Sequence, residues 1–218
     1  MRADTYLTVA NARSKAERWL AGLPGRARLR LDPARCALLV VDAQRFFAHP
    51  EGASYLPSSK AATQAIEALL AAWRSRGRPV AFTRHCHRPG EADGMLMGFW
   101  GSVIRCSSPD SALLETLGRR PVEPVFRKTT YDGFHGTGLE DWFREKGVRQ
   151  LLAVGFLTHL CVETTVRSAF VRGLQPLVAA DATATVSEEM HVASLRAMHH
   201  GFAGVLSSQA VLKELGGS

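Results

Sequence analysis

The chain has 218 residues, 46% of them hydrophobic and 22% charged, and a formal charge of +7. That length suits a single globular unit able to bury roughly 70% of its unfolded surface, and no apolar run approaches the roughly 18 residues that a membrane span needs. The basic excess sits ahead of the first core strand, where Arg2, Arg13, Lys15, Arg18, Arg26, Arg28, Arg30 and Arg35 stand against Asp4, Glu17 and Asp32; without a basic stripe interleaved with aromatics in the remainder, neither nucleic acid nor membrane is an expected partner.

Residues 1–30 read as a basic N-terminal arm with a short helix around Trp19 and Leu20, a candidate subunit contact, and 31–218 as one domain. Leu31-Asp32-Pro33 marks a turn, after which Cys36 to Val41 is a continuous apolar run ending in Asp42. Such a run suits a strand buried on both faces of a parallel sheet. Residues 43–58 form a loop carrying Phe46 and Phe47. Ser58 or Ser59 then caps a helix to about Arg76, with Ile66, Leu69, Leu70 and Trp73 as its inward stripe. Pro79 to Thr83 reads as a second strand. From Arg84 to Pro109 the chain is loop-rich around Met95, Met97, Phe99 and Trp100, and a loop of that length in a compact domain is usually functional.

Ser111 to Leu117 reads as a short helix, Pro124 to Arg127 as a third strand, and Leu139 to Lys146 as a helix stopped by Gly147. Leu151 to Val154 is the fourth strand. It turns at Gly155 into a helix carrying Val162, Val166, Ala169 and Phe170 on one face. A strand from Pro176 to Ala180, a helix from Ser187 to His200, a short strand from Gly204 to Leu206 and a terminal helix complete the chain. Strands alternating with helices imply βαβ units and a mostly parallel sheet covered on both faces. Cysteines 36, 86, 106 and 161 form neither a CxxC pair nor a regular framework, so disulfides and structural zinc are not expected. With no apolar leader at the N-terminus, the expectation is a soluble, cytoplasmic protein with reduced thiols.

In an open α/β sheet ligands bind beyond the carboxyl ends of the strands, and three ionisable residues follow strand ends here: Asp42, Lys128 and Cys161. Cys161 falls at or just inside the start of a helix. There the helix dipole and unpaired N–H groups favour a thiolate, and the same N–H groups can hold a developing oxyanion. A lone cysteine at such a junction is more often a packing residue. Its company gives it weight.

VVDAQRFF at 40–47, KTTYDGF at 128–134, GFLTHLCVETTVRSAF at 155–170 and DATAT at 181–185 together resemble the isochorismatase-like cysteine hydrolases, from about Leu31 to the end of the chain. The resemblance implies a three-layer α/β/α, Rossmann-like fold with a six-stranded, mostly parallel sheet. It implies a catalytic triad of Asp42, Lys128 and Cys161, a cis peptide bond between Phe156 and Leu157, and an oxyanion held by the backbone N–H groups of Leu157 and Cys161. Members that hydrolyse a vinyl ether lack the thiol. Retention of Cys161 therefore points to C–N cleavage in an amide, ureide or carbamoyl compound through a thioester. The alternatives are a metal-assisted nicotinamidase-type amidase and an inert binding protein of the same fold. A haloacid-dehalogenase-type phosphatase would need a second Asp where Gln44 stands.

Nicotinamidases of the family carry a metal site built from an Asp-x-His pair and a further His. In the corresponding TRHCHRP, His85 replaces the Asp, His87 remains, and the next histidine is His135. Zinc normally takes three or four protein ligands, so no metal or other cofactor is expected. Candidate substrate-binding residues are Phe47, Trp100, Tyr131, Phe134, His85 and His87, with Arg84 and Arg88 as possible carboxylate partners. The expected partners are a small-molecule substrate and further copies of the chain, in a dimer or tetramer, as is common in the family.

Overall fold

The computed structural model describes residues 3–25 and 29–216; Arg2, Arg26 and Arg28 of the basic segment lie outside the described residues. The apolar runs form strands β1 (Cys36–Val41), β2 (Val80–His85), β3 (Val125–Lys128), β4 (Gln150–Phe156), β5 (Gln175–Ala184) and β6 (Gly204–Leu206). Among the described residues these make one six-stranded sheet in the order β3-β2-β1-β4-β5-β6, every neighbouring pair parallel. All residues of β1 and β4 are buried, as the unbroken apolar sequence requires of central strands.

Helices α1 (Ala12–Ala21), α2 (Arg45–Ala48), α3 (Ser59–Ser75), α4 (Gly94–Trp100), α5 (Leu139–Glu145), α6 (Glu163–Val171), α7 (Glu188–Gly201) and α8 (Ser208–Gly216) connect and flank the strands. The chain steps from β1 to β2 in one direction across the sheet and from β4 to β5 in the other. Because parallel crossovers are right-handed, that reversal places α3 and α6 on opposite faces. Ile66, Leu69, Leu70 and Trp73, the inward stripe of α3, are fully buried. The result is a three-layer α/β/α fold.

Some expectations need correction. The stretch from Ser111 to Leu117 is not one helix but two 3-10 turns, Pro109–Ser111 and Glu115–Leu117, with Ala112 and Leu114 extended between them. The reason is local competition: the Ser111 carbonyl accepts from Gln44 and Arg84 and so is unavailable to a helical ladder. β5 runs to Ala184, four residues beyond its expected end, past a register shift opposite Ala153 and Gly155.

The thiols are not all reduced. Cys86 and Cys106 form a disulfide, with their Cα atoms 4.9 Å apart. Spacing alone did not reveal it because the pairing depends on the loop returning alongside the end of β2, where the His87 N–H donates to the Ile104 carbonyl and the Cys106 N–H to the His87 carbonyl. Cys36 and Cys161 remain free.

The described part of the N-terminal segment packs onto the domain. Tyr6, Leu7, Ala16 and Trp19 join the common core. The Trp19 indole donates to Glu188, which also pairs with Lys15 and Arg18. The Thr185 N–H donates to the Tyr6 hydroxyl at 2.9 Å. Trp19, expected at a subunit contact, is thus engaged inside its own chain. Among the described residues no helix is long and apolar enough to cross a membrane.

Candidate active site

The sheet reverses its connection order between β1 and β4, and the residues that follow these two strands meet at their carboxyl ends. Gly155 makes the close approach possible. Its φ is 115°, and a Cβ there would stand 2.0 Å from the Val41 carbonyl oxygen, so neither the conformation nor the space admits a side chain. Directly after Val41, Asp42 adopts φ 45°, a left-handed conformation that aspartate tolerates better than most residues. Thr83 of β2 holds it there: its hydroxyl accepts from the Asp42 N–H at 3.1 Å and donates to Oδ1 at 2.7 Å.

Lys128 ends β3, two strands away, and its long side chain reaches across the end of β2. Its Nζ lies 2.7 Å from Asp42 Oδ2, 3.3 Å from Cys161 Sγ and 2.8 Å from the Thr130 carbonyl oxygen. The structure thus brings together the acid, amine and thiol picked from the sequence. Burial disfavours the ammonium, but Asp42 and then Cys161 outweigh it and hold the Lys128 pKa above its ordinary value.

Cys161 lies in a π-helical turn, Thr158–Val162, that leads into α6, and the bond preceding that turn, Phe156–Leu157, is cis. α7 fixes the turn from the side. Thr158 Oγ1 is 2.9 Å from His191 Nδ1, and the Ser194 hydroxyl lies within hydrogen-bond reach of the Thr158 carbonyl (3.2 Å) and Glu163 Oε2 (2.5 Å). The sequence suggested that the helix start would favour thiolate. Burial reverses this: it pushes the Cys161 thiol up to about 12, with Lys128 opposing and Asp42 reinforcing. Burial thus favours the neutral thiol at Cys161, with the Lys128 ammonium opposing it.

At the end of β2, the strand between β3 and β1, stands His85, paired in register with Lys128. Its backbone is held from both sides by one side chain, Gln44, which accepts from the His85 N–H at 2.8 Å and donates to its carbonyl at 3.0 Å. Gln44 was used in the sequence only to exclude another chemistry, although it stands inside the Asp-x-Gln signature. Its fixed place two residues after the acid was the available signal. The Thr165 hydroxyl, which accepts from the Gly133 N–H at 2.9 Å, likewise steadies the loop after β3 and carried no signal in the sequence.

The other proposed binding residues divide. Trp100 and Tyr131 are joined, the indole donating to the Tyr131 hydroxyl at 2.6 Å, which ties exposed α4 to the loop next to Thr130. Phe47 is buried edge-on against Phe46. Phe134 belongs to the core instead of a substrate wall: its ring packs against Phe143, and the Arg172 guanidinium lies 4.9 Å from its centroid. His87 is buried behind His85, with Nδ1 3.6 Å from Asp93. Arg84 is engaged by Ser111 and the Cys106 carbonyl, bracing the disulfide-bearing loop, and is not available as a carboxylate partner. Arg88 is exposed.

A bound zinc ion would need three or four converging protein ligands. Among the described residues no set of three His, Cys, Asp or Glu side chains is arranged to hold one. His135 is exposed, and His85 Nδ1 is engaged by the Thr130 carbonyl at 3.3 Å. Among the described residues no donor set fits a metal.

Comparison with known proteins gives this geometry a context. Residues 36–210 match the isochorismatase domain. Nicotinamidase 3 of Arabidopsis thaliana is 33% identical over 186 residues, covering 84% of this chain and 89% of the relative. The ureidoacrylate amidohydrolase RutB of Methylobacterium radiotolerans is 32% identical over 219 residues, covering 89% and 85%. Among solved structures, a cysteine hydrolase from Pseudomonas syringae pv. phaseolicola superposes with a TM-score of 0.83 at 28% identity, covering 88% of this chain and 97% of that one.

Proposed function

The chain belongs to the isochorismatase family of hydrolases, and from that membership and the geometry at Cys161 we propose that it is a cysteine hydrolase cleaving a C–N bond in a small amide, ureide or carbamoyl compound. One observation carries this reading: the Lys128 ammonium touches both Asp42 and the Cys161 sulfur. A nitrogen leaving group needs a nucleophile on one side and a proton on the other. An acid and a thiol sharing one cation supply both.

In the proposed sequence the thiol proton passes to Asp42 as sulfur attacks the carbonyl carbon. Lys128 remains beside the charge as it moves from carboxylate to sulfur and on to the carbonyl oxygen. The backbone N–H groups of Leu157 and Cys161 hold that oxygen in the tetrahedral intermediate. Asp42 then returns the proton to the nitrogen, the C–N bond breaks, and ammonia or an amine departs from a thioester. Water attacks the thioester carbon, delivering its proton back to sulfur, and the acid or carbamate leaves. Two relatives have names that denote amide-cleaving enzymes, which agrees with the C–N assignment.

An ammonia-release screen over small amides, ureides and carbamoyl compounds, run beside Cys161→Ala, tests the proposal. Release by the native chain that is lost in the variant is expected. Release surviving in the variant rejects Cys161 as the nucleophile.

A further inference from the structure

The three groups of the proposed chemistry do not account for His85, which is in register with Lys128 and shares the Thr130 carbonyl with it. The Thr130 carbonyl oxygen accepts from Lys128 Nζ at 2.8 Å and lies 3.3 Å from His85 Nδ1. A carbonyl can only accept, so Nδ1 carries the hydrogen. The opposite nitrogen, Nε2, then presents a lone pair. The ring's hydrogen bond is made through Nδ1, and Nε2 is not among the buried unpartnered atoms, as both ring nitrogens of His87 are. Gln44 fixes the backbone that aims the ring. Burial, followed by Lys128, lowers the His85 pKa to about 4, so the ring stays neutral at ordinary pH.

An acceptor on the ring that shares the Thr130 carbonyl with Lys128 suits a donor on the substrate. The leaving nitrogen is served by Asp42, which has to hand it a proton. His85 has no proton to give, because its one ring hydrogen is committed to Thr130. Its lone pair therefore suits an N–H that keeps its hydrogen through the reaction, on the retained side of the carbonyl. A ureide or N-carbamoyl compound has such a hydrogen. A simple carboxamide does not, and the ring nitrogen of a pyridine carboxamide would set lone pair against lone pair, which disfavours it.

We infer that His85 is a substrate-binding residue whose Nε2 accepts the retained N–H of a ureido or N-carbamoyl substrate, making such compounds the preferred class. The inference rests on the reading of Cys161 as the nucleophile, and its test separates the two. Matched pairs of N-carbamoyl amino acids, one member with the retained N–H and the other N-methylated there, are assayed for ammonia release. Sites that hydrogen-bond a polar substrate group discriminate strongly against analogues lacking it, so the N–H member should have a kcat/KM at least about tenfold higher. His85→Phe should bring the ratio toward one, with the loss falling on KM, and His85→Gln, which restores an acceptor, should recover part of the preference. Circular dichroism of each variant establishes that it is folded.

A ratio near one in the native chain, or a preference that survives in folded His85→Phe, overturns the inference. So does activity confined to simple carboxamides, an outcome that leaves Cys161 in place. Should His85→Phe not fold, His85→Gln and the native ratio decide alone. Equal activity of Cys161→Ala on the same pairs removes the underlying reading instead.

Discussion

Lys128 Nζ and Asp42 Oδ2 lie 2.7 Å apart, with neither side chain exposed to solvent. Removing one partner of a buried ion pair leaves an uncompensated charge and typically costs about 3–5 kcal/mol, whereas replacing both is often neutral. Lys128→Met should therefore lower unfolding stability by about that amount, and Asp42→Asn combined with Lys128→Met should recover most of it. Urea denaturation measures both. Activity should be lost in the single and the double variant alike, since the pair takes part in chemistry as well as in packing. A double variant no more stable than Lys128→Met would show that burial of the pair is not what the fold responds to.

The raised pKa of Cys161, about 12, has a kinetic signature. Only thiolate reacts with iodoacetamide, so alkylation of Cys161 in the free protein should be slow at pH 7. It should rise by about tenfold per pH unit through pH 9, as thiolate fractions do well below the pKa. Peptide mapping of timed samples reports the site. A rate already at its plateau at pH 7 would mean that the helix start and Lys128 overcome desolvation after all.

Two buried histidines should make the fold acid-sensitive. His191 is pushed down to about 3 by burial, and His85 to about 4, against about 6.5 in an unfolded chain. A depressed folded-state value means that the unfolded chain binds the extra proton. The stability each group contributes is complete above pH 6.5 and is lost as pH falls toward the folded value, at up to ~1.4 kcal/mol per pH unit for each group. His191→Gln should flatten that decline between pH 6 and 4.5 by close to one proton, read from urea midpoints at several pH values. An unchanged slope would contradict the assignment of His191 as a neutral buried ring.

The disulfide predicts a further difference. Cys86–Cys106 closes a loop with a sequence separation of 20, and chain-entropy reasoning assigns such a crosslink about 3 kcal/mol. A dithiol reductant should lower the melting temperature of the native chain and leave Cys106→Ser, already lower, unmoved. Equal melting temperatures with and without reductant in the native chain would remove the crosslink's stabilising role.

What the sequence revealed and what it hid follow from the range of the interactions. Cys36–Val41 and Leu151–Val154 announced central strands because a doubly buried strand has only one composition, and Asp42, Lys128 and Cys161 were legible because each follows such a strand at a signature position. Their convergence follows from topology, which places strands β3, β2, β1 and β4 side by side. The pairing of Cys86 with Cys106, the two-sided hold of Gln44 on His85 and the placing of Phe134 in the core depend on how loops return to the sheet, and loop return leaves no periodic trace. The influence of burial on the thiol was hidden for a related reason. The helix start is visible in sequence, but the completeness of burial at Cys161 is not.

In the proposed reaction, sulfur at position 161 forms a covalent bond to the substrate carbonyl. Intact-mass spectrometry of enzyme acid-quenched during turnover, followed by peptide mapping, tests it most directly. The expected result is an acyl or carbamoyl adduct confined to Cys161, absent from Cys161→Ala and discharged when substrate is exhausted. Steady turnover with no adduct on any quenching timescale, together with undiminished ammonia release by Cys161→Ala, would contradict it.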